Sequence, residues 1–137
     1  MDYLEEMKTK AWDFVEAAKW VKSPEAWPWD KNQEGLTIAP ENHRVIFENE
    51  HVRVIELWIL PGHQEPLHTH ENKSLTIIDS PINMRYYGAD GKVQFERPCN
   101  EEHRDRTSFL WREAEGLHAI ENIDQRVFHG IRIEILK

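Results

Sequence analysis

The chain has little cysteine, fewer basic than acidic residues and no long apolar run. Its 137 residues include one cysteine, Cys99, so an intrachain disulfide and a CxxC redox or zinc pair are excluded, which is typical of a reducing compartment. Lys and Arg number 17 against 25 Asp and Glu, a net charge of -8. This acidic balance argues against nucleic acid and anionic membranes as partners, since both attract cationic surfaces.

The apolar residues of the chain come in short runs. The longest aliphatic and aromatic run extends from Leu57 to Leu60, far below the roughly 18 residues that a spanning helix needs. Acidic residues open the chain, unlike the basic start of a secretory signal. We therefore expect a soluble, cytoplasmic protein. Its length fits one domain, and a 39% hydrophobic content is enough for a core.

Residues 1–42 form an N-terminal arm that differs in pattern from the rest of the chain. Apolar residues recur at spacings of three and four from Leu4 to Val21, which predicts an amphipathic helix over about residues 2–22. We expect its apolar face to pack on the body of the protein, with pairing between subunits as the less favoured interpretation. The tryptophans that follow, Trp27 and Trp29, are expected to fasten the arm to that body.

Short β-rich runs separated by Pro, Gly, Asn and Asp fill the remaining domain, residues 43–137. The Asp90-Gly91 pair predicts a hairpin turn. About nine strands without an intervening helix predict an all-β sandwich or barrel. These strands are Arg44 to Phe47, Val52 to Leu60, Leu67 to His70, Leu75 to Asp79, Asn83 to Tyr87, Val93 to Glu96, Ser108 to Trp111, His118 to Asn122 and Val127 to Leu136.

Two of these strands carry predictions about what covers them. In the last strand, the alternating set Val127, His129, Ile131, Ile133 and Ile135 should face inward. In Val52 to Leu60 both faces are largely apolar, which indicates that the helix or a second subunit covers the outer face. A closed homodimer is the expected assembly, because it is the commonest symmetry.

The chain contains eight histidines, and their number raises the question of whether some of them form a site. His68 and His70 are separated by one residue on a predicted strand, so their imidazoles point the same way and can share one ion. A surface pair is the alternative. His118 begins another strand, and if that strand faces the same barrel interior, three neutral nitrogens converge.

These residues resemble the two motifs of the cupin superfamily. Gly62 precedes His68-Thr69-His70 by five intervening residues, and His118 is followed after three by Asn122, as in the motifs G(x)5HxH(x)3-4E(x)6G and G(x)5PxG(x)2H(x)3N. The resemblance covers roughly residues 43–137 and is closest to small single-domain bacterial cupins. It implies a cupin-type jelly-roll antiparallel barrel, here with an N-terminal helical arm, and implies metal binding by His68, His70 and His118.

The chain departs from these motifs at the glutamate. That position falls at Ser74 or Leu75, neither of which can replace a carboxylate ligand. The remaining set is similar to that of the three-histidine cupin dioxygenases, such as thiol dioxygenases and diketone-cleaving enzymes. It implies one divalent transition metal, Fe(II) in preference to Zn, Ni, Mn or Cu. Because neutral ligands leave the charge of the ion uncancelled, an anionic small-molecule substrate would be attracted to it.

Several other residues are candidates for the same pocket. His129 could serve as a general base, with a core role as the alternative, and Glu56 is the first candidate to replace the missing carboxylate. Ser74, Tyr86, Trp111 and Asn122 are candidate pocket residues. His63 and Glu65 could rim the site, although exposure in a loop is favoured, and His43, His51 and His103 are expected at the surface.

Three functions remain open from the sequence. The first is a metal-dependent small-molecule enzyme, most concretely a non-haem Fe(II) dioxygenase, and the second is a non-catalytic barrel that binds a small ligand or metal. An isomerase or epimerase, or a zinc-dependent lyase or hydrolase, is the third. The fold alone does not select the chemistry.

Overall fold

A computed structural model describes residues 12–17, 21 and 23–137, with the backbone alone for residues 12–17 and His103. Ten strands lie in these ranges: β1 (Trp12–Ala17), β2 (His43–Glu48), β3 (Val52–Ile59), β4 (His68–His70), β5 (Ser74–Ser80), β6 (Met84–Tyr87), β7 (Val93–Arg97), β8 (Thr107–Arg112), β9 (Glu115–Asn122) and β10 (Phe128–Ile135). The same ranges contain one short α-helix, α1 (Gly35–Ile38), and 3-10 turns at Lys31–Gln33 and Glu101–His103.

The strands form two sheets. The six-stranded sheet has the order β1-β8-β5-β10-β3-β2, and the four-stranded sheet has the order β4-β9-β6-β7. From β3 to β6 and again from β7 to β10, each strand lies in the opposite sheet from the one before it. This crossing pattern is typical of a jelly roll, so the predicted all-β barrel is confirmed.

The nine strands predicted from residue 43 onward are all present, with ends that differ by at most three residues. The Asp90-Gly91 hairpin also forms, joining β6 to β7. Gly91 has φ +75°, and its amide donates to the Gly88 carbonyl at 2.9 Å. A left-handed backbone is open to glycine at no steric cost, which is why this pair is a reliable turn signal.

The predicted N-terminal helix is wrong over residues 12–17. These residues form β1, which pairs in parallel with β8 at the edge of the six-stranded sheet. Hydrogen bonding to an open strand edge outweighs a weak helical periodicity, because Trp, Phe and Val in this segment also favour strands. Apart from Val21, which packs against the buried cluster of Ile82, Met84 and Tyr86, the rest of the predicted helix lies outside the described residues.

The predicted inward face of β10 is also wrong. Gly130, Arg132 and Glu134 are buried, whereas Ile131 and Ile133 are only half-buried on the outer face. Charged side chains can occupy a barrel interior when they are paired, and Arg132 lies 3.2 Å from Glu115 while Glu134 lies 3.4 Å from Arg53. The apolar alternation therefore marks the outside of this barrel.

The segment after residue 28 packs beside the barrel interior. A Cβ on Gly116 of β9 would lie 2.5 Å from the Trp29 ring, and a Cβ on Gly35 of α1 would lie 2.7 Å from Nε2 of His43. Both positions therefore require glycine for close packing. Across the ranges that the structure covers, no helix is long and apolar enough to cross a membrane.

Candidate metal centre

Four imidazoles meet inside the barrel. His43, His68, His70 and His118 are each at most 4% exposed. The ring centroids of His68 and His118 are 4.5 Å apart. The ring centroid of His68 is also 4.9 Å from the ring centroids of His43 and of His70. We call these four residues the histidine cluster.

Three strands position the cluster. β4 carries His68 and His70, and its pairing with β9 places His68 directly opposite His118. His43 begins β2 in the other sheet. The structure therefore brings together the three histidines predicted from the motifs, and it adds His43, which was wrongly expected at the surface.

Backbone carbonyls fix the orientation of three of these rings. Nδ1 of His43 donates to the Ala39 carbonyl at 2.9 Å. Nδ1 of His68 donates to the Pro66 carbonyl and Nδ1 of His118 to the Gly116 carbonyl, both at 2.7 Å. A neutral imidazole that donates from Nδ1 has its lone pair on Nε2. Burial lowers the pKa of each of these three histidines to about 4, so the neutral, metal-binding form is present at neutral pH.

Glu65 is the carboxylate that faces the cluster. Its Oε2 lies 3.7 Å from Nε2 of His68 and 3.9 Å from Nε2 of His43, while its Oε1 accepts from the Ile120 amide at 3.1 Å. Burial raises the pKa of this carboxyl group. The expectation that Glu65 is exposed in a loop is wrong, and no motif in the sequence indicated its position.

Glu56 does not replace the missing glutamate. It is paired with Arg44 and with Nε2 of His129, which in turn contacts Asp79. Glu56 therefore forms the outward salt bridge with an arginine that was the alternative to a ligand role in the pocket. His129 is half-buried on the outward side of β10, and within the described part of the chain its side chain contacts Glu56 and Asp79 rather than the histidine cluster. The inward position predicted for it is therefore wrong.

Arg132 contacts Ser74, one of the two positions where the cupin motif would have its glutamate. The Ser74 hydroxyl accepts from Nη1 of Arg132 at 3.2 Å, and Nη2 of Arg132 donates to Oε1 of Glu115 at 3.2 Å. Arg112 donates to the same Oε1 at 3.0 Å, and Oε2 of Glu115 lies 3.4 Å from Nε2 of His118. Arg112, Glu115 and Arg132 form a buried ion network that reaches the cluster through His118.

The other candidate pocket residues have different positions. Tyr86 is buried and stacks on His118, with centroids 5.4 Å apart. Asn122 is fully buried, but its amide donates to the carbonyls of Ile59 and Arg126 at 2.8 and 2.7 Å, which ties strand ends together. Trp111 lies on the outer face, since Leu110 and Arg112 are the buried neighbours on β8, so its assignment to the pocket wall is wrong.

Two groups of side chains have ligand atoms close enough to hold one ion. Within the described residues, the atoms of His43, His68 and His70 lie within 4.8 Å of one another, and so do those of Glu34, His70 and Glu134. A chamber of about 200 Å³ lies between the sheets, with Ile78, Leu110, Ile120, Phe128 and Arg112 among its lining residues. A second cavity of about 590 Å³ contacts His70, Glu34 and Glu134.

Comparison with known proteins identifies the fold. No protein-family model matches the chain, and no curated protein matches it. A cupin domain from Bordetella pertussis Tohama I is 20% identical, with a TM-score of 0.56 over 68% of this chain and 90% of that one. An RmlC-like cupin protein from Methanocaldococcus jannaschii is 13% identical, with a TM-score of 0.49 over 83% and 92%. The likeness to the Bordetella cupin domain shows that the chain has the cupin fold.

Proposed function

We propose that the barrel binds one divalent transition metal and uses it in a reaction on a small anionic molecule, most concretely as an Fe(II)-dependent dioxygenase. The observation that carries this proposal is the set of buried imidazoles whose Nδ1 atoms are held by backbone carbonyls. That arrangement leaves Nε2 as the ligand atom and fixes the ring before an ion arrives. Imidazole suits iron, zinc, nickel and copper.

The fit between the cluster and a cation is chemical as well as geometric. The ligands are neutral, and Glu65 supplies a carboxylate at 3.7 Å from Nε2 of His68 that a cation would favour in its ionised form. When bound, the ion supplies a Lewis acid for substrate oxygens and, as Fe(II), a reductant for O2. Tyr86, stacked on His118, holds that ring in place.

The apolar chamber is the proposed substrate site. Its volume of about 200 Å³ is below the range of roughly 300–1,000 Å³ that is common for drug-sized ligands, so a small molecule is favoured. Arg112 is in its lining, and Glu115 connects Arg112 to His118. Arg112 would therefore attract an acidic group of a substrate held in this chamber, whose lining is mostly apolar.

Metal content tests the proposal directly. Protein purified without added metal should contain about one transition metal ion per chain, measured by elemental analysis, because a structural or catalytic ion survives purification. The His68→Ala, His118→Ala double variant should contain less than about a tenth of the wild type's iron, zinc, nickel and copper, while His51→Ala, which changes an exposed histidine, should match the wild type. A metal-free wild type that also fails to take up added Fe(II) or Zn²⁺ would refute the proposal.

The third ligand is decided by two single variants. Two ligand sets are open: the geometric group of His43, His68 and His70, and the motif set, which has His118 in place of His43. His68 and His70 belong to both sets. Replacing the true third ligand by alanine should weaken binding by at least about tenfold, whereas replacing the other should change it much less. A competition titration with a chromophoric chelator measures both.

Oxygen uptake tests the dioxygenase version. Fe(II)-loaded wild type should consume O2 with at least one member of a panel of thiols, diketones and catechol-like acids, and His68→Ala should not. An iron-loaded protein that is inert towards the whole panel would contradict this version and favour a barrel that binds a small ligand without catalysis.

We also propose that the chain forms a homodimer through its six-stranded sheet. Strand β2 is the edge of that sheet, and its side chains Val45, Ile46 and Phe47 are 41%, 46% and 54% exposed. Exposed apolar edge strands pair readily with a second copy. Light scattering should give twice the chain mass of 16.3 kDa, and Phe47→Glu should give a monomer. Val93→Glu is the matched control, since Val93 is 49% exposed on the edge of the other sheet; a monomeric wild type would refute the dimer.

A further inference from the structure

A second group of ligands lies at an opening of the barrel. Glu34, His70 and Glu134 have ligand atoms within 4.8 Å of one another. All three contact the cavity of about 590 Å³, which lies beside the C-terminal ends of β4 and β10. We call this cavity the polar mouth. Glu34 comes from the segment before the barrel and Glu134 from β10, so two of the three members lie outside the cupin motifs.

His70 differs from the other three buried histidines. It is 3% exposed and reaches the polar mouth. His43, His68 and His118 each donate Nδ1 to a backbone carbonyl, whereas within the described residues no hydrogen bond holds the His70 ring. A buried imidazole that makes no hydrogen bond within the described residues and lines a cavity beside two carboxylates is available to bind a cation there.

The two carboxylates are only partly compensated by their surroundings. Glu134 is 2% exposed and accepts from Arg53 at 3.4 Å and from Asn72 at 3.3 Å, both of which are long contacts. Glu34 accepts from the Glu71 amide at 2.9 Å. The carboxylates of Glu34, Glu48, Glu71 and Glu134 line the polar mouth together with Lys31 and Arg53. With buried Arg132, whose charge also acts on His70 and Glu34, four negative charges face three positive ones. The local field therefore favours a cation.

We propose that Glu34, His70 and Glu134 form a second divalent-cation site at the polar mouth. Two carboxylates and one imidazole are a harder ligand set than the histidine cluster, so this site should bind Mn²⁺ more tightly than the histidine cluster does. The site goes beyond the proposed function and does not depend on it. Because His70 belongs to both groups, an ion at the mouth either uses its second ring nitrogen or competes with an ion in the cluster.

Manganese binding tests this site. The full chain, treated with EDTA and dialysed, is titrated with MnCl2, and free Mn²⁺ is followed by its six-line EPR signal. The His68→Ala, His118→Ala variant should still bind Mn²⁺, because it retains all three mouth ligands. Glu34→Gln and Glu134→Gln should each weaken Mn²⁺ binding by at least about tenfold, the effect of losing one charged ligand.

Glu71→Gln is the matched control, since Glu71 lies at the same cavity but outside the ligand group. It should leave the affinity for Mn²⁺ within about twofold of the wild type. If Glu134→Gln fails to fold, the half-buried Glu34 decides the test through Glu34→Gln. Wild-type affinity in Glu34→Gln, or an equal loss in Glu71→Gln, would overturn the site. If only the His68→Ala, His118→Ala variant lost Mn²⁺ binding, the proposed site would be overturned as well. The histidine cluster would then be the site that binds Mn²⁺.

Discussion

Replacing Glu115 by glutamine is expected to remove about 3–5 kcal/mol from the free energy of unfolding, because the change leaves buried guanidinium groups without their counter-charge. Oε1 of Glu115 accepts from Arg112 at 3.0 Å and from Arg132 at 3.2 Å, and all three residues are at most 6% exposed. Burial opposes ionisation of Glu115, but Arg112, His118 and Arg132 outweigh it, so the pKa of this carboxyl group is lowered below its usual range. The amide of glutamine keeps the shape and loses the charge.

Urea unfolding measures this loss. A domain of this size has about 5–15 kcal/mol of stability in total, so Glu115→Gln should unfold at a much lower urea concentration or fail to fold at all. Glu121→Gln is the control, because Glu121 pairs with Arg85 at 3.0 Å in a partly exposed position and exposed pairs contribute little. Equal urea midpoints for Glu115→Gln and the wild type would contradict the role of the network.

Local patterns in the sequence were sufficient for the strands and for part of the site. The spacing from Gly62 to His68 and His70 places both imidazoles on one strand, and the register of β4 with β9 then brings in His118. These predictions succeed because side chains alternate along a strand and because turns carry their own signals. Both features depend on residues that are near each other in the chain.

Features that depend on tertiary pairing were not predictable in this way. The inward face of β10 carries Arg132 and Glu134, which are tolerated in the interior only because Glu115 and Arg53 lie opposite them. His43 and Glu65 join the site through the packing of separate segments. An apolar alternation indicates which residues share a face, but the polarity of the interior decides which face turns inward.

The metal-free protein is expected to lose stability as the pH falls from about 6.5 to about 4. Burial lowers the pKa of His43, His68 and His118 to about 4, and lowers that of His70 well below its ordinary value. The same histidines titrate near 6.5 in the unfolded chain. Between these values the unfolded chain binds more protons than the folded one, so stability rises with pH in this window. His43, His68 and His118 each contribute on the order of 3 kcal/mol to this difference.

Two carboxyl groups and His129, whose pKa is raised, against the effect of burial, by the carboxylates of Glu56 and Asp79, oppose this trend, and the four buried histidines outnumber them. Burial raises the pKa of Glu65 and of Glu34, so each of them favours the folded state at low pH. The unfolding free energy of EDTA-treated protein, measured in urea at pH 7, 6 and 5, should therefore still decrease at each step. His118→Gln should flatten this dependence, because glutamine does not titrate, whereas His51→Gln changes an exposed histidine and should leave the slope as it is in the wild type. A free energy that stays constant from pH 7 to pH 5 would mean that the four imidazoles are not held neutral inside the barrel, and the lone pairs that the metal centre requires would then be lost to protons at the same pH as in a free histidine.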